Sequence, residues 1–540
     1  MNRRTFLKGI CAAGACSLVS DTVFSSEKKR RPNVVFIIVD DSEFVEYGCY
    51  DGMALTPNID KLANSGVKFE NAFTSSSVCT PTRYTCLSGK YASRAKSLLT
   101  EDKQPEDMPR FVRWNSHLKS GGWNVASVLQ KNGYFTGLCG KWHVGHGEYY
   151  QEHLKALNVP AEVSQADQID PTNPIVDKYL EEKYALQVED IKRSFGFDFV
   201  GSFYSGNLTD YPKNYSKLNK HNHDWITQSA LNFIDESQTK QKPFFLYLST
   251  TLQHGPTPLN SIEADRKITS KGLLEKAPDV QPGFKSMYKR LDDAGVSREM
   301  APSLWLDDGV GAVMKKLKDY GIEDDTAVFF FSDQQSWGKG SCFDGGVRTP
   351  LIFSWKGSVK SSQVEENLVS NIDFVPTIFD ICSVEAPAGM KLDGRSFLPL
   401  VSGESEDWRD AVFFELGNMR AVRTKSFKYI ATRSYTEKQW QEFPEDVRRS
   451  QWYRRKYFRL NSTWKPPLES TASVSAVAKW RHEHFQYAED ADQLYDLRID
   501  PSENMNLADS IEYQGILKRM KSLLTDWLQT MPGSFAEFKQ

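Results

Sequence analysis

The chain has 540 residues and lacks any run of the about 20 apolar residues needed to cross a bilayer as a helix. It also lacks a surplus of charge. The formal net charge is −3, which removes any global reason to bind nucleic acid, so attraction to a polyanion has to be local. Cysteine is scarce, with eight in all. Their spacing fits neither a zinc framework nor a dense disulfide scaffold. Cys11 and Cys16 lie near the start, leaving Cys49, Cys79, Cys86, Cys139, Cys342 and Cys382. No internal repeat or low-complexity tract stands out, which excludes a solenoid.

What is present suits a large globular enzyme. Hydrophobic residues make up 40% and charged residues 25%, enough for a sizeable core. Length alone would allow roughly three to four average domains; the composition along the chain points to two. Asn2-Arg3-Arg4-Thr5-Phe6-Leu7-Lys8 has the look of a twin-arginine export signal, followed by a short apolar stretch from Gly9 to Val19. Residues 1–27 are therefore expected to be an export signal, and the protein periplasmic or extracellular. Asn207-Leu208-Thr209 and Asn461-Ser462-Thr463 fit the glycosylation pattern, but the export signal is of a bacterial kind and they are set aside.

Three apolar runs read as strands buried on both faces. Asn33 to Val39 ends in Asp40-Asp41, Pro243 to Ser249 leads to Gln253-His254, and Thr326 to Ser332 ends in Asp333-Gln334. Carboxylates at the carboxyl ends of buried strands belong where open α/β sheets bind ligands. Two such charges about 4 Å apart repel by roughly 4 kcal/mol at an effective dielectric of 20, which a hard divalent cation would relieve. A fourth strand, Tyr134 to Cys139, runs into Gly140-Lys141-Trp142-His143, where Lys141 and His143 alternate by two and share a face on an extended backbone. Between them, Glu148 to about Ser205 is polar and reads as a long insertion on the rim.

The stretch Ser77-Val78-Cys79-Thr80-Pro81-Thr82-Arg83, ending in Leu87-Ser88-Gly89-Lys90, is the centre of the chain. Pro81 suits a first helical position, and Thr80 and Thr82 are candidate caps. Cys79 then stands at the positive end of a helix, a place that accepts oxyanions. This string resembles the type I sulfatase signature, C/S-x-P-x-R followed by Leu-Ser/Thr-Gly-Lys/Arg. Thr56-Pro57-Asn58, Gly140-Lys141-Trp142-His143-Val144-Gly145, Gly338-Lys339, Asp344-Gly345-Gly346-Val347-Arg348-Thr349-Pro350 and Asp500-Pro501-Ser502-Glu503 also resemble that family. The resemblance covers about residues 32 to 530.

It implies an alkaline-phosphatase-like α/β fold: a large mixed sheet sandwiched by helices over residues 28–403, then a smaller C-terminal subdomain over 404–540 with an antiparallel sheet and a helix. It implies a sulfuric ester hydrolase acting on a sulfated carbohydrate, with Cys79 oxidised to formylglycine by a formylglycine-generating or anaerobic sulfatase-maturating enzyme. The metal, Ca2+ or Mg2+, falls to Asp40, Asp41, position 79, Asp333 and Gln334. Lys141 and Lys339 bind the sulfate. His254 protonates the leaving alcohol, His143 takes the proton that frees sulfate, and Arg83 orients the nucleophile. A phosphonate or phosphate ester hydrolase, or a non-catalytic glycan binder, are the alternatives. One stretch departs from the family outline: an insert around 436–485 in which Arg448, Arg449, Trp452, Tyr453, Arg454, Arg455, Lys456, Tyr457, Phe458 and Arg459 interleave rings and cations. That composition suits a sulfated sugar chain and equally a solvated basic helix, while net charge and export signal disfavour nucleic acid.

Overall fold

The computed structural model describes residues 31–404, 407–433, 437–445, 448 and 490–538. The export-signal stretch 1–27 and nearly all of the 436–485 insert lie outside the described residues.

Eight strands form the main sheet: β1 (Asn33–Val39), β2 (Val67–Phe69), β3 (Phe135–Lys141), β4 (Phe199–Tyr204), β5 (Phe244–Ser249), β6 (Thr326–Ser332), β7 (Leu351–Ser354) and β8 (Gln363–Glu365). Their order across the sheet is β8-β2-β7-β6-β1-β5-β3-β4. Only β7 runs against the rest. The central strand β1 is buried at every residue because both faces are covered. Val34, Phe36 and Ile38 enter one core and Val35, Ile37 and Val39 the other, the two-residue alternation of a strand. The first core also takes side chains of α2 (Cys79–Ser88), α3 (Val125–Lys131), α4 (Pro174–Phe195) and α7 (Phe374–Ile381). The second takes α1 (Pro57–Asn64), α5 (His223–Lys240) and α6 (Ala301–Asp319).

The polar stretch Glu148 to Ser205 is not merely a rim insertion. It carries the 22-residue helix α4 and the edge strand β4, which pairs with β3. Helix α4 reads as polar because it buries only a stripe, from Val176, Tyr179 and Leu180 to Ile191 and Phe195.

Toward the C-terminus, β9 (Val412–Leu416), β10 (Met419–Arg423), β11 (Phe427–Thr432) and β12 (Asp492–Asp496) make an antiparallel meander in sequence order. Helix α8 (Gln514–Gln529) lays Leu517, Met520, Leu524 and Trp527 against it. The meander is tied to the main body through buried charge. Lys428 Nζ, fully buried on β11, donates to Asp344 Oδ1 at 2.7 Å and lies 3.0 Å from Glu503 Oε1, while Arg423 Nε donates to Asp344 Oδ2 at 3.0 Å. Among the described residues no helix is long and apolar enough to cross a membrane.

Candidate active site

The parallel strands β6, β1, β5 and β3 are neighbours, so their carboxyl ends open on one edge of the sheet. That edge receives Asp40 and Asp41 after β1, Lys141 as the last residue of β3, Ser249 as the last of β5, and Asp333 with Gln334 after β6. Close pairing is needed to bring β3 and β5 together there. Gly140 has φ +97, and a Cβ on it would meet the Ser249 carbonyl oxygen at 1.8 Å, so only glycine fits.

Cys79 is the first residue of α2 and is completely buried. The helix starts two residues before the proline expected to open it. No side-chain cap is made: Thr82 Oγ1 donates to the Ser76 carbonyl at 2.6 Å, and Thr80 Oγ1 has no partner among the described residues. The Cys79 Sγ donates to Asp40 Oδ1 at 3.4 Å and accepts from Gln334 Nε2 at 3.2 Å and Lys339 Nζ at 3.6 Å. Burial works against its thiolate, but Lys141 and Lys339 outweigh it and pull the pKa below the ordinary thiol value.

Arg83, one turn along α2, is fully buried, and its guanidinium is spent on the strand ends. It donates to Asp333 Oδ2 from Nε at 3.1 Å and from Nη2 at 2.9 Å, to the Lys141 carbonyl at 3.4 Å, and to Ser249 Oγ. Lys141 Nζ donates to Asp40 Oδ2 and Asn207 Oδ1. Lys339 Nζ donates to both carboxylate oxygens of Asp41, at 2.8 and 2.7 Å. Three cations thus face three carboxylates around the sulfur. Burial raises Asp40 and Asp41, but Lys141 on the first and Lys339 on the second hold them below the ordinary carboxylate range. Asp333 is pushed well up by burial and by the Asp40 charge.

The two histidines differ. His254 Nδ1 bonds the Gly255 carbonyl oxygen at 2.9 Å, and Nε2 lies 3.7 Å from Asp41 Oδ2. Burial and Lys339 oppose its protonation, yet Asp41 and Asp40 carry its pKa upward. His143 is held well below the usual value by burial and by Lys141. Its Nε2 is 3.8 Å from Asp210 Oδ2, and its Nδ1 is buried without a partner among the described residues. The expected alternation stops at Lys141: His143 has φ +58, as does Asp41. Left-handed backbone at two non-glycine residues costs of order 1–2 kcal/mol each and gathers where geometry serves chemistry.

The donors fit a hard cation. One oxygen of each of Asp40 and Asp41 and the Cys79 sulfur lie within 4.8 Å of one another. The amide oxygen of Gln334 is buried and unpartnered among the described residues, beside Asp41, which accepts from the Gln334 Nε2. Oxygen ligands of this kind suit calcium or magnesium, whereas a thiol does not. Every residue singled out in the sequence therefore stands at this edge or, for His143 and His254, just beyond it. Three that the sequence does not assign to the site join them: Ser249, Asn207 and Asp210. They stand at or just after the ends of β5 and β4, and Asn207 is marked in the sequence only by a glycosylation pattern.

Comparison with known proteins agrees with this geometry. Residues 32–384 match the sulfatase family, and residues 333–446 match the C-terminal region described as N-sulphoglucosamine sulphohydrolase, C-terminal. The chain is 24% identical to the N-acetylgalactosamine-6-sulfatase of Mus musculus over 527 residues, covering 93% of this chain and 87% of the mouse protein. It is 23% identical to an ulvan-active sulfatase of Formosa agariphila, covering 98% and 88%. Among solved structures it resembles Ps i-CgsB in complex with k-i-k-neocarrahexaose, with a TM-score of 0.57, 19% identity, and coverage of 95% and 94%. It also resembles BT4656 in complex with D-glucosamine-2-N,6-O-disulfate, with a TM-score of 0.55, 18% identity, and coverage of 93% and 98%.

Proposed function

The chain belongs to the sulfatase family and is a sulfuric ester hydrolase, and from that premise we propose that it removes sulfate from a sulfated polysaccharide or its oligosaccharides, using formylglycine made from Cys79 and one bound calcium ion. The observation that carries this reading is the meeting of four strand ends and one helix start around a single sulfur atom. A relative is named for ulvan, another for an N-acetylgalactosamine 6-sulfate, and two structural neighbours hold sulfated saccharides or their relatives by name.

In this proposal Asp40, Asp41, Asp333 and Gln334 would hold the cation, which when bound would supply positive charge toward sulfate oxygens and favour an ionised oxygen nucleophile. The aldehyde at position 79 supplies, as its hydrate, an oxygen in place of the sulfur that a hard ion does not favour. A formylglycine-generating or anaerobic sulfatase-maturating enzyme would make it. Lys141 and Lys339 neutralise the sulfate oxygens as charge grows on them. Arg83 fixes Asp333, and His254, raised by its two carboxylate neighbours, donates the proton to the leaving alcohol. His143, kept neutral by burial and Lys141, accepts the proton that accompanies sulfate release. We place the protein outside the cytoplasm, sent there by the twin-arginine-like segment, with the 436–485 insert helping to hold the sugar chain.

The test is sulfate release, followed by ion chromatography, from a panel of sulfated glycans and an aryl sulfate. The protein is co-expressed with a formylglycine-generating enzyme, and Cys79→Ala is the control. Sulfate from one glycan, absent with Cys79→Ala, is the expected result. Equal release by the Cys79→Ala protein would refute the assignment of the nucleophile, and release of phosphate from phosphate esters alone would move the enzyme to the neighbouring reaction class.

A further inference from the structure

We propose that Asn207 is a positioning residue for sulfate: it fixes the Lys141 ammonium in the direction the anion needs. The inference rests on the sulfatase reading above and assigns a residue outside the recognised motifs.

An ammonium has three N–H bonds and no acceptor. In Lys141 one goes to Asp40 Oδ2 and one to Asn207 Oδ1, which leaves a single N–H for a ligand oxygen. With one acceptor the head group would swivel; with two, the third N–H has one direction. Lys141 is wholly buried among protein atoms, and these two side chains are the acceptors that its ammonium meets.

Asn207 is itself held. It precedes the short turn Leu208–Asp210 and exchanges bonds with Asp210: Asp210 N donates to the Asn207 carbonyl at 3.1 Å, and Asn207 N donates to Asp210 Oδ2 at 3.1 Å. The preceding backbone is stitched to the Lys141 segment. Trp142 N donates to the Tyr204 carbonyl at 2.8 Å and His143 N to that of Ser205 at 3.0 Å. Asp210 then stands 3.8 Å from His143 Nε2. Sixty-six residues of chain separate Asn207 from Lys141, so the contact serves no local turn of the β3 segment. A cap needs only the Asn207–Asp210 exchange; the contact with Lys141 is additional to it.

The two roles can be separated by substitution. Asp caps a turn as well as Asn, so Asn207→Asp keeps the turn but puts a negative charge where sulfate approaches. Placed in the Cys79→Ala protein and probed by calorimetric binding of inorganic sulfate, Asn207→Asp should keep its thermal midpoint and lose about tenfold or more in affinity. Asn207→Ser, which still caps but is too short to reach Lys141, should also lose about tenfold, and it serves if the Asp variant is unstable. Unchanged sulfate affinity in either folded variant overturns the proposal. If wild type still releases sulfate from esters in that case, the function stands and only the role of Asn207 falls. If Asn207 governs sulfate affinity but wild type cleaves no sulfate ester, the reverse holds.

Discussion

Removing one buried ammonium tests how the two sheets are held together. Lys428→Met is close in length and keeps the aliphatic stem packed. It leaves Glu503, 1% exposed, with no cation, because Lys428 is the only ion-pair partner of Glu503 among the described residues. Asp344 keeps Arg423 at 3.0 Å. Breaking a buried pair by deleting one partner costs about 3–5 kcal/mol. The double variant Lys428→Met/Glu503→Gln removes the stranded charge while leaving an amide oxygen to accept from the Asp344 N–H, now 2.6 Å from Glu503 Oε2. It should recover roughly half the loss, so the pair will be non-additive by about 2 kcal/mol. The assay is urea unfolding of the four proteins of the cycle at about pH 9, above the value near 7 to which burial lifts Glu503, so that the wild type holds it ionised against Lys428. A single variant within about 1 kcal/mol of wild type, or a double variant no more stable than the single, would refute the reasoning, since unpaired buried charge is its whole basis. Asp344 also begins the short helix Asp344–Val347, whose Gly345 carbonyl accepts from Gly338 N at 2.7 Å beside Lys339. The Lys428→Met protein should therefore show a raised KM for sulfate esters as well.

Burial lifts Glu503 to about 7, with Lys428 opposing and Asp344 adding to the rise. The folded protein keeps a proton there that the unfolded chain gives up near pH 4.5, so this stability is full below about pH 4.5 and is lost as pH rises through about 7; Glu503→Gln should flatten the fall in unfolding free energy between those values. Gly140→Ala should yield no soluble protein at 37 °C, because its Cβ would stand 1.8 Å from the Ser249 oxygen where no flexible atom can yield; a soluble, active variant would refute the close approach of β3 and β5. Stripping the metal with a chelator should abolish sulfate release and lower the thermal midpoint, and calcium at a hundred times its Kd should restore about 2.7 kcal/mol; an unchanged midpoint would argue against a site at Asp40 and Asp41.

Much of this protein is legible before folding because its central strands are buried on both faces. Asn33–Val39 and Thr326–Ser332 are uninterrupted apolar runs, and each hands over to carboxylate or amide side chains without a spacer. Strand β4 escaped notice for the opposite reason. It is an edge strand with one partner and mixed burial, and it follows a helix whose exposed face dominates the composition. The role of Asn207 is invisible to any local pattern, since its partner is 66 residues away. The cap expected from Thr80 and Thr82 failed because Thr82 is drawn down to the Ser76 carbonyl and Thr74 instead.

The strand order also sets a timetable. Asn33 pairs with Thr326 across β1 and β6, so the first strand to leave the ribosome waits for a neighbour made 293 residues later. At about 5–20 residues per second this is about 15–60 s of synthesis. For all of that interval the carboxylate after β6 that anchors Arg83 does not exist, nor do Gln334 and Lys339, which bond the Cys79 sulfur. The sulfur that is sealed in the finished protein is therefore accessible while the chain is young, and any enzyme that rewrites it has that window in which to work.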